Sequence, residues 1–177
     1  VIIRRECPDD TPGIRTVTAA AFRDADYSAP PAEPGGDPGE VALIDSLRDD
    51  SGWMPELSLV AVDGELIVGH VVGSRAWLGD SPAVGLGPLS VSPERQKAGV
   101  GSALMHAILG AADALGESIV GLLGEPSYYA RFGFVPAALH DVKAPDISWG
   151  EYFQVRTLTT YGGAAGLFSY AAPFEAV

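Results

Sequence analysis

Gly87–Ser102 reads Gly-Pro-Leu-Ser-Val-Ser-Pro-Glu-Arg-Gln-Lys-Ala-Gly-Val-Gly-Ser. Its first half ends an apolar segment, Ala83–Val91, that predicts a strand. Its second half is a glycine-rich turn. A helical repeat follows over Gly99–Leu115, with Val100, Leu104, Ile108, Ala111, Ala112 and Leu115 at the spacing of one helix face. The first amides of such a helix lack intrahelical partners, and the helix dipole adds about half a positive charge there. A pyrophosphate fits that place.

The loop narrows the choice of phosphate ligand. No window supplies the G-x-x-x-x-G-K-[ST] pattern of a nucleotide-triphosphate loop. A dinucleotide fingerprint needs a third glycine, and Gly99-Val100-Gly101-Ser102-Ala103-Leu104 ends in leucine. The segment before it is also a hairpin meander rather than a βαβ unit. A dinucleotide-dependent oxidoreductase is therefore disfavoured. Pro88 adds a separate constraint, because a proline cannot donate to a sheet ladder. It predicts a bulge, a splay or an edge in its strand.

The flanks complete the outline. Val1–Arg4 predicts a strand. Asp9 or Asp10 is placed to cap a helix that has Pro12 in its first turn and runs to about Phe22. Ala25–Gly39, rich in proline and glycine, predicts a loop, and Glu40–Asp49 a second helix. Leu57–Val62 and Glu65–Ala76 flank Asp63-Gly64, a hairpin signal. Gly116 stands where a helix C-terminal cap belongs. Ser118–Leu123 is a buried strand, Pro126–Phe132 a short helix and Phe134–Pro136 a short strand. Tyr152–Thr157 and Leu167–Ala171 are the last strand candidates. The order is β-α-α-β-β-β-α-β-α-β-β, a mixed α/β domain spanning residues 1–177 with no repeat and no linker.

Composition bounds the partners. The 177 residues carry a formal net charge of −12. Nucleic acid is not expected, since phosphate neutralisation needs clustered Lys and Arg. The acidic field favours a cationic amine or a basic peptide, and it serves solubility equally well. No apolar run reaches the ~18 residues of a membrane span, and the first residues lack the order of a signal peptide. The single cysteine, Cys7, allows no internal disulfide and fits a reducing cytoplasm. The three histidines, His70, His106 and His140, show no metal-ligand spacing, so no metal is expected.

Gln96-Lys97-Ala98-Gly99-Val100-Gly101 fits Q-x-x-G-x-G and resembles the acyl-CoA pyrophosphate loop of the GNAT N-acetyltransferase superfamily. In that family the loop follows the fourth strand and opens the third helix, as it does here. Tyr128-Tyr129-Ala130-Arg131-Phe132-Gly133-Phe134 is similar to the family's late Y-x-x-x-G-F segment. Gly124–Tyr129, Tyr152–Val155 and Tyr170…Phe174 resemble a subgroup of small bacterial acetyltransferases. The likeness covers most of Val1–Phe174. Lys97 and Ala98 depart from it, because glycine is common at those places in the family.

The resemblance implies a GNAT-like fold: a central, mostly antiparallel, splayed sheet flanked by helices. It implies transfer of an acetyl group from acetyl-CoA directly to a primary amine of a small molecule or peptide. The chain leaves its own assembly open between a monomer and a homodimer. A non-catalytic acyl-CoA-binding domain on the same fold is the alternative. The implied cosubstrate-binding residues are Leu89, Ser90, Val91, Gln96, Lys97, Ala98, Gly99, Val100, Gly101 and Ser102. Tyr129 is the candidate acid for the departing thiolate, since a phenol with a pKa near 10 holds its proton at neutral pH. Tyr128 is held in reserve as a packing residue. Many relatives take a base from the fourth strand, but Ala83–Val91 contains no Asp, Glu or His. Glu125 is the candidate substitute, ahead of Asp80.

Overall fold

The hairpin organises the molecule. A computed structural model describes Val1–Val177, and in it β2 (Trp53–Asp63) and β3 (Leu66–Leu78) pair antiparallel around Gly64-Glu65. Both strands run longer than their apolar cores predict, because backbone pairing continues through Trp53 and Leu78 where the alternation is poor. β1 (Ile2–Arg5) pairs with β2 at one edge, and β4 (Ser81–Val91) with β3 on the other side. β5 (Ile119–Leu123), β8 (Phe153–Thr157) and β6 (Val135–Pro136) extend the sheet in the order β1-β2-β3-β4-β5-β8-β6. β9 (Gly166–Ser169) returns to the end of β3 and carries β7 (Val142–Lys143), a two-residue strand too short to show a period. Only the β4–β5 and β7–β9 pairs are parallel.

Helices cover both faces. α1 (Thr11–Phe22) and α2 (Gly39–Asp49) bury Ile14, Leu43, Ile44 and Leu47 against Val60 and Val72. α3 (Val100–Ala114) buries Leu104, Met105 and Ile108 against Leu57, Leu59, Val71, Val84 and Leu86 on the opposite face. Each such aliphatic side chain contributes about 1.5–3 kcal/mol of burial. Leu115 departs from the predicted stripe and is 45% exposed, because the helix closes at Ala114 and Gly116 turns left-handed at φ 80°. A third cluster gathers Ala76, Leu78, Ile119, Phe153, Val155 and Phe168 under the C-terminal segment. No helix is long and apolar enough to cross a membrane.

One polar group differs from expectation. Asp10 sits at the start of α1, yet its carboxylate makes no cap there. It turns back to accept from the Cys7 amide (2.8 Å) and pairs with Arg4 (2.6 Å). Cys7 is exposed, its Sγ 3.2 Å from Asp10 Oδ2. Beneath α1, the buried His70 ring places Nε2 2.9 Å from Ser58 Oγ and 3.3 Å from Glu6. Burial lowers the His70 pKa. Burial alone would raise the Glu6 pKa, but hydrogen bonds from His70, Arg48 and Ser58 outweigh it and hold it at about 2. This network ties β1, β2, β3 and α2 together.

Candidate active site

β4 forks away from its neighbour. It pairs with β5 only at Val84↔Val120 and Gly85↔Gly121. Beyond Gly85 the two strands part. On the β3 side, Val71 faces Leu89 while Gly73 faces Leu86, so two steps on β3 match three on β4. The extra residue falls at Gly87-Pro88, which is the bulge that Pro88 predicts. The Ser92 amide donates to Val68 O at 2.9 Å. Antiparallel alternation then pairs Ser90 with His70 and turns the Leu89 and Val91 amides away from β3, toward the fork.

Ser90 does not share that exposure. Its backbone belongs to the ladder, and its buried hydroxyl donates to Thr18 Oγ1 at 3.1 Å. It presents its polar atoms to α1 and β3 rather than to the fork. The alternation of a strand could have separated it from Leu89 and Val91.

The loop between β4 and α3 is held at Arg95 and Gln96. Gln96 Nε2 donates to the Val91 carbonyl (3.3 Å), and Arg95 pairs with Asp63 of the hairpin (2.6 Å). Lys97 and Ala98 are exposed, and Lys97 adopts a left-handed φ of 61°. Gly99 stands at the helix start with φ 88°, and a Cβ there would project into open space. No side chain caps α3. The amides of Val100, Gly101 and Ser102 are therefore the free donors of its first turn. A diphosphate fits this arrangement of open backbone and unpaired N–H groups.

Gly101 has a different reason to be glycine. A Cβ on it would lie 2.8 Å from the Tyr128 hydroxyl. Tyr128 thus packs on the first turn of α3, with the Arg131 guanidinium 4.8 Å above its ring. The two motifs recognised in the sequence meet here, 27 residues apart in the chain by their numbers.

A model of the acetyltransferase (GNAT) domain matches residues 55–136. Over 180 aligned positions the chain is 31% identical to the uncharacterized N-acetyltransferase YhbS of Escherichia coli, with 99% of each chain covered. This chain belongs to the GNAT N-acetyltransferase family. The crystal structure of YhbS in complex with CoA superposes with a TM-score of 0.85 at 31% identity, covering 98% of this chain and 91% of that one. A GNAT acetyltransferase from Brucella melitensis in complex with acetyl-CoA gives 0.77 at 32% identity, covering 98% and 97%. The mixed α/β architecture with a splayed, mostly antiparallel sheet is the GNAT fold.

Within this GNAT site the two side chains expected to do chemistry are placed differently. Tyr129 closes α4 (Pro126–Tyr129) just beyond the open end of β5. Its ring lies on Gly124 so closely that a Cβ there would collide with it. Phe134 meets it edge-on with centroids 6.0 Å apart. Burial raises the Tyr129 pKa well above the usual phenol value, and the neighbouring Tyr128 and Tyr27 add to the effect. Glu125 is exposed and caps α4, accepting from Ser127 Oγ at 3.1 Å and facing the Ser127 amide at 3.5 Å. A capping carboxylate turned onto its own helix is not poised over the fork, so the geometry lends no support to Glu125 as the base. Asp80 is exposed in the β3–β4 turn, at the far end of β4 from Leu89.

Two tyrosines outside the candidate site residues interact electrostatically with Tyr129. Tyr170 follows β9, and its ring lies on Gly85, where a Cβ would come within 2.6 Å. Burial raises its pKa, and Tyr129 adds to this. Tyr27 projects from the loop after α1 and is 82% exposed. Tyr170 stands in the Tyr170…Phe174 stretch that resembles the small bacterial subgroup, whereas the one sequence signal at Tyr27 is an aromatic in an otherwise small and polar segment.

Proposed function

We propose that residues 1–177 form one catalytic domain that moves an acetyl group from acetyl-CoA directly to a primary amine of a small molecule or peptide. The observation that carries this is the fork beyond Gly85↔Gly121, with the Leu89 and Val91 amides unpaired along it and the uncapped start of α3 beyond. Relatives of nearly full length hold CoA and acetyl-CoA in the crystal, which supports the same ligand here.

On this reading the Leu89 and Val91 backbone bonds the pantetheine arm as an added strand. Val100, Gly101 and Ser102 amides hold the diphosphate, bordered by Gln96, Lys97, Ala98 and Gly99. An amide at the bulge polarises the thioester carbonyl, a preorganised dipole of the oxyanion-hole kind. Alignment of amine and carbonyl supplies much of the rate. No covalent enzyme intermediate is invoked. The one thiol, Cys7, stands in the turn after the edge strand β1, engaged with Asp10.

Tyr129 supplies the proton that the departing sulfur needs. One N–H proton must leave the amine, and one proton must reach the departing sulfur. With its pKa above 10, Tyr129 is ionised in less than about one molecule per thousand at pH 7. It is therefore loaded to donate. A buried phenolate is equally disfavoured afterwards, so Tyr129 recovers a proton from the acetylated nitrogen or from water in the same turnover. β4 and β5 carry no carboxylate or imidazole of their own.

The test is release of free CoA thiol from acetyl-CoA and a panel of primary amines, with acetylation of the acceptor read by mass. CoA affinity is measured beside it by calorimetry. Absence of both CoA binding and thiol release across the panel refutes the proposal. Binding without release leaves a non-catalytic CoA-binding domain.

A further inference from the structure

The fork has a second face. Val84 packs with the α3 cluster, so the adjacent Gly85 points to the opposite face of the sheet. Gly85 is the last β4 residue paired to β5, and Tyr170 lies directly on it. Tyr170 therefore marks the point where the strands part, on the face away from α3. Its ring stacks near Phe174, with centroids 4.5 Å apart and planes inclined by 32°.

α1 covers that same face, as the Ser90–Thr18 contact shows. Tyr27 follows α1 and leans edge-on against Phe22, with centroids 6.2 Å apart. The loop that carries Tyr27 is clamped. Glu40, buried in the first turn of α2, accepts from the Ala29 amide (2.7 Å) and from Ser28 Oγ (2.9 Å). Gly39 lets that turn close, since a Cβ there would lie 2.8 Å from Ala29 Cβ. The clamp sits one residue beyond Tyr27, so a largely exposed ring is held on a fixed backbone. Asp24 and Asp26 stand beside it in the chain. The hydroxyls of Tyr27, Tyr129 and Tyr170 make no hydrogen bond within the protein, whereas the Tyr161 hydroxyl is bonded to Ala164 O at 2.7 Å.

We propose that Tyr27 and Tyr170 form the two walls of the acceptor subsite on the face opposite α3, that Glu40 is the positioning residue for Tyr27, and that the acceptor is a primary ammonium on an apolar, ring-bearing body. Ring faces and phenol oxygens attract an ammonium, and the Tyr170–Phe174 pair offers a flat apolar surface to the body behind it. The acidic loop draws the cation in. The ammonium gives one proton to solvent water on entry and so becomes the neutral amine that attack requires. This rests on the acetyl-transfer reading above.

The probes are 2-phenylethylamine and n-butylamine, which share a primary ammonium and differ in the ring, assayed on the full chain with saturating acetyl-CoA. The expected result is a kcat/KM about tenfold or more higher for 2-phenylethylamine. Tyr27→Ala and Tyr170→Ala are each expected to raise its KM about fivefold or more, with a smaller change in kcat and an unchanged CoA dissociation constant. Tyr170→Phe keeps the packing ring and removes only the hydroxyl, so it reports if Tyr170→Ala does not fold. Glu40→Ala is expected to raise KM as Tyr27→Ala does, and Glu40→Gln, which still accepts a hydrogen bond, to restore most of it. The inference is overturned if butylamine is used as well as 2-phenylethylamine, if KM does not respond to Tyr27 and Tyr170, or if CoA binds but 2-phenylethylamine is not acetylated. Loss of CoA binding and of thiol release with every amine instead refutes the acetyl-transfer reading itself.

Discussion

The two faces of the fork are built in opposite ways. Toward α3 the proposed cosubstrate cradle is mostly backbone: amides of Leu89, Val91, Val100, Gly101 and Ser102, opened by the left-handed Gly99. On the other face the proposed acceptor walls are side chains, Tyr27 and Tyr170, from segments more than a hundred residues apart by number. Backbone recognition needs small residues at fixed spacing and leaves a motif. Side-chain recognition needs only that rings arrive at one place, and distant loops deliver them without a shared pattern. Such a division also lets one face keep its ligand while the other changes.

The strongest test of this contrast is Tyr129→Phe. It keeps the ring that packs on Gly124 and removes the proton. We expect kcat to fall by about 10²–10⁴-fold with CoA affinity unchanged. Steady-state kinetics with calorimetry checks both, and a parallel loss of CoA affinity would place Tyr129 in the cradle instead.

Acid should strike both faces together, because both hang on the β3–β4 ladder above the Glu6 network. Glu6 has its folded pKa held at about 2, below its unfolded value, so its stabilising effect is present above about pH 4.5 and is lost as pH falls toward 2. The integral is about 3 kcal/mol. His70, whose pKa burial lowers, acts in the same direction from about pH 6.5 downward, since the unfolded chain takes up its proton first. Denaturant unfolding measured from pH 7 to pH 3 should show falling stability, and Glu6→Gln should flatten the acid limb.

Gly99→Val addresses the cradle alone. A β-branched residue at φ 88° costs roughly 1–2 kcal/mol or more of backbone strain and puts atoms where the space is open. CoA affinity should fall at least about tenfold, a difference of about 1.4 kcal/mol. An unchanged affinity would remove Gly99 from the cradle.

The smallest effect expected is that of Ser90→Ala. It leaves the buried Thr18 hydroxyl without its partner at a cost of about 1 kcal/mol, which lowers Tm by about 2–4 °C. CoA affinity should not change. A fall in affinity would return Ser90 to the cosubstrate side and blur the division of the two faces.

Much of the fold is legible in the chain. The β2–β3 hairpin, β4 and α3 follow from apolar period, the turn residues and Pro88, which are local signals. α3 shows where local reading stops: Leu115 keeps the period and is exposed, because the helix ends one residue earlier. β7 and β9 lie in short segments, and it is the return to β3 that makes them strands. Among candidate site residues, the loop stands out in the sequence through its glycines and Tyr129 through its motif. At Glu125 a carboxylate after a strand reads equally as a base and as a cap, and the cap seen in the structure depends on where Ser127 sits.

The chain by itself determines an open, glycine-lined helix start after a bulged strand, because φ preferences and missing amide donors are properties of single residues. It also determines the GNAT family through the spacing of two motifs. Only the tertiary structure decides that Gly101 serves Tyr128, that Ser90 turns to α1 while its neighbours face the fork, and that Tyr170 lies on Gly85 where β4 and β5 part. These are matters of which face a side chain takes and which distant segment meets it. They follow from strand register and packing, and no local stretch of sequence encodes them.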